Sequence, residues 1–375
     1  MSVFHRFGMY ALGVCLPMLL SAQGLAQEPQ AAEPVQIDIP ESALKSGLLT
    51  SHLEQVSRAV EYWLNRMRDA GDDQEILAAR KGLIADYNRY YSIKYQYVFA
   101  EQVARGIPEL LKLEDPRKQI NAGLAVSQMR QVTVQPALEV MLTHPDPAVR
   151  LYAWQGYRRI RLLVLAQGKE FAETTYSSLA KAAAREDCPP VLQEAFGMFH
   201  VESDPPRTIS PQDFEQARKR LFAIFQGIWP RLCERVAEGD LEMSFCCRDG
   251  IAALRAVHGT LAGDGAISQT VIQMVYDMMW SAAKGLTASE ADSPVSAALE
   301  TMLGDCENAL NYVTRLGKVL MTSALAAKDQ TDRNLAVLSA VQGWREALIA
   351  AGYTLAKPGA SQEPTSAPSA PPADR

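Results

Sequence analysis

The sequence predicts an all-α protein, and two observations lead to that fold class. Segments with apolar residues at three- and four-residue steps, the spacing of one helix face, recur along most of the chain. The alternating apolar and polar residues of half-buried strands are scarce, and no Asn-Gly or Asp-Gly hairpin turn lies between such segments. Helices are therefore expected to build the whole folded part.

The N-terminus has the three parts of a secretory signal peptide. His5 and Arg6 precede an apolar run from about Met9 to Leu20, and the small residues Gly24 and Ala26 suit a cleavage site after residue 26. The run is shorter than the roughly 20 apolar residues that span a bilayer. Residues 1–26 are thus predicted to be a signal peptide, and the protein to be exported to the periplasm or outside the cell.

Two further segments are expected to be disordered. Residues 27–41 form a linker, and residues 358–375 form a tail rich in Pro, Ala and Ser, because neither composition buries enough apolar surface to offset the entropy of ordering. Residues 42–357 remain as an all-α domain, with a subdivision near residues 205–211 left open.

Charge argues against nucleic acid as a partner. The formal net charge is −6, and loss of the predicted signal removes Arg6 and no acidic residue. Sequence-independent binding of nucleic acid rests on clustered Lys and Arg, which an acidic exported chain does not favour.

No segment after the signal is apolar over a spanning length, so the mature chain is predicted to lack a membrane span.

Individual helices can be read along the domain in order. Periodic apolar residues predict helices within residues 43–70, 268–286, 293–320 and 331–352. Ser293 and Pro294 suit the cap and first residue of the third of these segments. Thr331 and Asp332 suit the cap of the last one, and Gly352 suits its end.

A repeat of 41 or 42 residues lies in the middle of the chain. Leu138, Asp146, Val149, Ala153 and Tyr157 match Leu179, Asp187, Val191, Ala195 and Phe199 in an alignment with one inserted residue. A weaker copy begins at Asp115-Pro116. Each unit is predicted to be a helix, a turn containing Asp and Pro, and a second helix.

This pattern resembles the HEAT repeat family over about residues 115–200. The family carries an Asp in the inter-helix turn, then Val-Arg, then Ala one turn later, and Asp146, Val149, Arg150 and Ala153 fill those positions. The second unit keeps Asp187, Val191 and Ala195 but has Leu192 in place of the Arg. The stretch CRDGIAALRAVHG, residues 247–259, is interpreted as a diverged unit. The resemblance implies a HEAT-like α-solenoid of stacked antiparallel helix pairs; the alternative is a helical bundle that contains a single HEAT-like hairpin.

In the unit that matches the family best, the one with Asp146, packing explains the residues without a catalytic role. Asp146 is expected to cap the second helix, and Val149, Ala153 and Tyr157 to form its buried stripe with the tyrosine hydroxyl open to water. Arg150 is expected to bond loop carbonyls of a neighbouring unit. A catalytic pair of His144 and Asp146 is the disfavoured alternative.

An interaction face is expected beside this stripe. At 100° per residue, Arg150, Arg158 and Arg161 lie within about 60° of one direction. As an interaction face, such a basic ridge suits an acidic protein, glycan or lipid headgroup. The alternative, which the sequence favours, is that the three arginines are simply solvated near the helix C-terminus, where the helix dipole stabilises cations.

Five cysteines follow the signal, and an odd number in an oxidising compartment leaves at least one thiol free or paired to another chain. A bridge from Cys233 to Cys246 or Cys247 is preferred, because the residues between them contain a turn. The alternative is that all five are small buried apolar residues.

No catalytic motif, metal site or cofactor loop is found in the sequence. We therefore expect a non-catalytic scaffold for protein–protein interaction in the cell envelope, with another protein as its partner and no cofactor. The alternative is an enzyme or enzyme accessory with a groove site near His200, where Glu202 and Asp204 are further candidate metal ligands.

Overall fold

A computed structural model describes residues 35–199, 209–261, 263–327 and 329–357 of the chain. These residues fold into fifteen α-helices and one 3-10 turn, Val132–Val134, without a strand. The helices are α1 Glu41–Ser46, α2 Thr50–Asp69, α3 Asp73–Tyr87, α4 Ile93–Leu111, α5 Pro116–Gln128, α6 Gln135–Leu142, α7 Pro147–Ala166, α8 Lys169–Arg185, α9 Pro189–Phe199, α10 Pro211–Ala237, α11 Leu241–Leu261, α12 Gly265–Ala288, α13 Pro294–Thr314, α14 Leu320–Leu325 and α15 Gln330–Ala350. The all-α prediction is confirmed.

Helix starts follow a common chemical rule. An Asp or Ser side chain accepts a backbone N–H bond at the start of most long helices, which satisfies an amide that has no partner inside the helix. Proline often follows the cap, where its missing N–H costs nothing. The capping residues are Asp72, Ser92, Asp115, Asp146, Ser210, Asp264, Ser293 and Asp329.

The predicted helices differ from the observed ones mainly at their ends. Gly47, at φ +150°, separates α1 from α2 within the segment that was predicted as one helix. The segment predicted to run to residue 320 stops at Thr314, because Arg315 has left-handed backbone geometry with φ +58°. Asp329 caps α15, two residues before the predicted cap, and Gly352 follows the helix with a positive φ.

Helices two apart in the chain pack against each other. One series is α3, α5, α7, α9, α11 and α13, which we call the odd series; the other is α2, α4, α6, α8, α10 and α12, the even series. Helices that follow one another in the chain, such as α6 and α7, or α12 and α13, join the two series. The contacts from α8 to α10 and from α9 to α11 continue across residues 205–211, the place of the possible subdivision.

The buried stripe of the repeat lies between the two series. Val149 and Ala153 of α7 and Val191 and Ala195 of α9 are all buried. Tyr157 is also buried, and its hydroxyl lies beside Gln135 instead of facing water. Burial raises the pKa of this hydroxyl well above its ordinary value.

The N-terminal segment packs further upstream than expected. Residues 35–41 were assigned to the linker, yet Ile37 and Ile39 are buried. The Tyr90 hydroxyl donates to the Ile37 carbonyl at 3.0 Å and accepts the Ile39 N–H at 3.1 Å. The alternation of apolar and polar residues over 35–39 puts both isoleucines on one side of the extended chain. The signal, the rest of the linker and the tail lie outside the described residues.

Side chains also tie one inter-helix turn to the next. Arg150 Nε and Nη2 donate to the two carboxylate oxygens of Glu186 at 2.8 and 2.9 Å, and Nη1 donates to the carbonyls of His144 and Pro145 at 2.9 Å each. Glu186 is buried and also accepts the Cys188 N–H. This pair joins the turn before α7 to the turn before α9.

Similar bonds, from a side chain to backbone carbonyls of another helix end or turn, are made by residues before and after Arg150 in the chain. His144 Nε2 donates to the Leu111 carbonyl at 3.2 Å, so the turn before α7 is bound to the end of α4. Arg231 of α10 donates to the carbonyls of Ala183, Ala184 and Glu186. Arg235 bonds the Asp187 carbonyl at 2.7 Å and pairs with Asp240. We call His144, Arg150, Arg231 and Arg235 with their partners the turn ladder.

Removal of the Arg150 side chain is expected to destabilise the fold strongly. Arg150→Ala leaves the Glu186 carboxylate buried without its cation, which lowers the free energy of unfolding by about 3 kcal/mol. Urea unfolding followed by circular dichroism measures the change. Arg105→Ala, which removes an exposed pair with Glu101, is the control and is expected to cost less than about 1 kcal/mol. Equal losses in the two variants would contradict a structural role for the ladder.

A buried carboxyl makes the stability of the fold depend on pH. Asp277 of α12 accepts one hydrogen bond, from Gln273 Nε2 at 2.8 Å, and burial raises its pKa from 3.8 to about 6. The folded protein therefore holds this proton over a range in which the unfolded chain has released it. The contribution of the protonated Asp277 carboxyl to the free energy of unfolding is fully present below about pH 4 and decreases as the pH rises through 6.

Asp277→Asn is expected to remove this decrease. At pH 7.5 the variant gains about 2 kcal/mol of stability over the natural chain, and the two differ least near pH 4. Urea unfolding at both pH values measures the difference. A gain of the same size at both pH values would show that the substitution acts through packing and not through the proton.

Candidate interaction surface

The predicted basic ridge is divided in the structure. The Arg150 side chain is only 17% exposed and belongs to the turn ladder, so it does not lie on an exposed face. The Arg158 side chain is 53% exposed, and its guanidinium lies 3.7 Å from the Glu194 carboxylate. Arg161 is half-buried and contacts the Gly197 carbonyl near the end of α9. Helical spacing gave the directions of the three Cα–Cβ bonds, but the long Arg150 side chain folds back towards the turn at the start of α7.

His144 and Asp146 are occupied by structural bonds. His144 is buried, and its Nδ1 accepts the Asp146 N–H at 3.1 Å. The Asp146 carboxylate accepts the Ala148 N–H at 2.8 Å and caps α7. In the second unit, Glu186 accepts the Cys188 N–H, while the side chain of Asp187 is exposed.

Each successive pair of helices in the odd series is joined by side-chain contacts, and five of these, one per pair, run from α3 to α13. These contacts are Arg80 with Asn121 at 2.9 Å, Arg159 with the Ser127 carbonyl at 2.6 Å, Arg158 with Glu194, Gln193 with Asp249 at 2.9 Å, and Arg248 with Asp305 at 2.6 Å. We call these five contacts the cross-helix row. The row connects the surface of α3 to that of α13 through α5, α7, α9 and α11.

Positive charge is concentrated where the row crosses α5 and α7. Arg130, which follows α5, and Arg158 and Arg159 of α7 are all exposed, and we call them the arginine cluster. The pKa of Arg159 is lowered first by partial burial and then by the charges of Arg130 and Arg158, while Glu194 opposes the shift. A guanidinium whose charge is opposed by its neighbours is stabilised by an added anion.

A groove lies where the row crosses α11 and α13. Its volume is about 340 Å³, and we call it the α11–α13 groove. Phe245 stands at its wall, with its side chain about half exposed. The groove is lined by Phe245, Arg248, Asp249, Ile251, Ala252 and Arg255 of α11 and by Asp305 and Asn308 of α13.

Aromatic and charged side chains meet near one end of the groove. The Arg255 guanidinium lies over the Tyr312 ring at 5.0 Å from its centroid, and the His258 ring packs edge-on to the same tyrosine at 6.2 Å. Partial burial lowers the pKa of His258 and raises that of Asp249. The arrangement offers a cation positioned on the exposed Tyr312 ring, which suits recognition of an anion next to an apolar group.

The cysteines predicted to form a bridge are free thiols in the structure. Cys233 lies on α10 and Cys246 and Cys247 lie on α11, all three buried among apolar side chains. Burial raises the pKa of the Cys246 thiol to about 12, and the pKa values of the other two are raised as well. These thiols therefore stay protonated at neutral pH and pack as small apolar groups. The alternative interpretation extends this packing to all five cysteines; Cys306 is also buried, whereas Cys188 is only partly buried.

The candidate metal ligands His200, Glu202 and Asp204 lie outside the described residues. Within the part of the chain that is described, no three His, Cys, Asp or Glu side chains are grouped as metal ligands.

The sequence interpretation missed most of the α11–α13 groove. It singled out residues 247–259 only as a diverged repeat unit, although Arg248, Arg255 and His258 all lie there. The available signal was the spacing of Phe245, Arg248, Ala252 and Arg255 at steps of three, four and three residues, which puts them on one helix face.

Over the described ranges, no helix combines the length and the apolar character needed to cross a membrane. No protein-family model matches the chain, and comparison with curated protein sequences finds no match.

Proposed function

We propose that the protein is an exported HEAT-like α-solenoid that serves as a non-catalytic scaffold for protein–protein interaction in the cell envelope. The observation that carries the proposal is the exposed surface of the odd series, on which the cross-helix row links six helices. A surface formed by side chains from successive helices is typical of the extended binding faces of solenoid proteins.

The packing order of the helices supports the solenoid architecture. Each long helix packs mainly on helices that are one to three positions away in the chain, so its neighbours in space are also its neighbours in sequence. The turn ladder supports HEAT-like units, since Asp146 caps α7 and Arg150 reaches the turn of the following unit. Export rests on the signal-like composition of residues 1–26.

The arginine cluster indicates the chemistry of the partner. Among the described residues, Glu194 is the carboxylate that pairs with Arg158 and acts on Arg159, against the three positive charges of Arg130, Arg158 and Arg159. The chain as a whole is acidic, which makes the cluster a local exception. An acidic patch on a partner protein would find its complement there and would be excluded from most of the remaining surface.

The test is affinity capture of residues 27–375 from an envelope extract, with identification of bound proteins and metals by mass spectrometry. The natural chain is expected to retain one stoichiometric partner in a salt-sensitive manner. Arg130→Glu/Arg158→Glu is expected to lower retention at least tenfold. Arg58→Glu/Arg105→Glu changes the charge equally, at exposed arginines of α2 and α4, and is expected to retain the partner.

Two outcomes would count against the scaffold. Equal loss in both double variants, with helix content unchanged by circular dichroism, would mean that net charge and not the arginine cluster governs retention. A tightly bound metal without any protein partner, lost on His200→Ala, would support the alternative of an enzyme with a site near His200.

A further inference from the structure

The α11–α13 groove has room for a few residues of an extended chain. Phe245 and Arg255 are ten positions apart on α11, which corresponds to about 15 Å along the helix axis. An extended chain covers that distance with about five residues. The volume of about 340 Å³ accommodates a few side chains.

Two of the charged side chains in the groove have hydrogen-bond partners among the described residues, and a third does not. The Arg248 Nε donates to Asp305 at 2.6 Å, and Asp249 accepts a hydrogen bond from Gln193 Nε2 at 2.9 Å. Arg255 has no carboxylate partner among the described residues and instead lies over Tyr312. This contact positions the guanidinium, and its N–H groups make no hydrogen bond within the described part of the chain, which suits a two-point bond with a carboxylate.

The other end of the groove is apolar. The Phe245 side chain is half exposed, and Ala252 offers no bulk between it and Arg255. Asp249, one turn from Phe245, would repel a second carboxylate at this end, so the acidic group of an occupant belongs at Arg255. The groove thus distinguishes the two ends of an occupant, with an apolar side chain against Phe245 and a carboxylate at Arg255.

Asn308 supplies the remaining group that an extended chain needs. Its exposed side-chain amide lines the groove from α13 and makes no hydrogen bond within the described part of the chain. An amide side chain offers both a donor and an acceptor, which can pair with the N–H and C=O groups of an extended backbone.

We propose that the α11–α13 groove binds an extended segment of a partner protein, with a Glu or Asp at Arg255 and an apolar side chain against Phe245. This inference rests on the proposed function and adds a second, sequence-selective contact to the charge-based contact at the arginine cluster. Both contacts lie on the surface of the odd series.

The test is selection of a random library of peptides about eight residues long on immobilised residues 27–375. Enriched peptides are expected to share an acidic residue three to five positions from an apolar one. A fluorescein-labelled peptide of the enriched sequence is then titrated by fluorescence polarisation. Arg255→Gln is expected to weaken its binding at least tenfold and Phe245→Ala at least fivefold, while Arg105→Gln leaves binding unchanged. Replacement of the acidic residue of the peptide by its amide is expected to match the loss seen with Arg255→Gln.

Failure of this inference is separable from failure of the scaffold. Enriched peptides without an acidic residue, or binding unchanged in Arg255→Gln, would overturn the groove proposal. If Arg130→Glu/Arg158→Glu still abolished partner capture, the proposed function would stand. Circular dichroism of each groove variant verifies the fold, and the exposed positions of Phe245 and Arg255 make large losses of stability unexpected.

Discussion

The ion pair between Arg150 and Glu186 is the contact on which the arrangement of the neighbouring helices depends. The Arg150 guanidinium bonds its own turn through two carbonyls and the following turn through both oxygens of Glu186. Arg231 then donates to the Glu186 carbonyl, so the next helix pair is fixed to the same turn. Because these turns come directly before α7, α9 and α11, polar bonds between turns contribute to the stacking of the helices beside apolar packing.

Local features of this part of the fold could be predicted from sequence. The cap at Asp146 and the buried stripe of Val149 and Ala153 need only helical periodicity and the chemistry of helix starts. The partner of Arg150 could not be predicted, because Glu186 lies 36 residues away and its position depends on how two helix pairs stack. Burial of Ile37 and Ile39 was missed for the same reason, since it requires the distant Tyr90 hydroxyl.

Periodicity within single helices predicts only part of the candidate surface. Periodicity identifies the exposed side of α7 and of α11, and it selected Arg158 correctly as an exposed position. The arginine cluster also needs Arg130 from the end of α5, and the groove needs Asp305 and Asn308 from α13. These side chains meet only when helices two apart in the chain pack together, and no spacing within a single helix encodes that contact.

The packing order of the helices has a consequence for how the chain reaches this structure. Most contacts join elements close in sequence, so little loop entropy opposes their formation and few distant segments have to find each other. Such a topology folds rapidly, and folding can begin at any adjacent pair of helices and spread to the next. A chain that emerges gradually during its synthesis could therefore assemble helix pair by helix pair, before its C-terminal half has appeared.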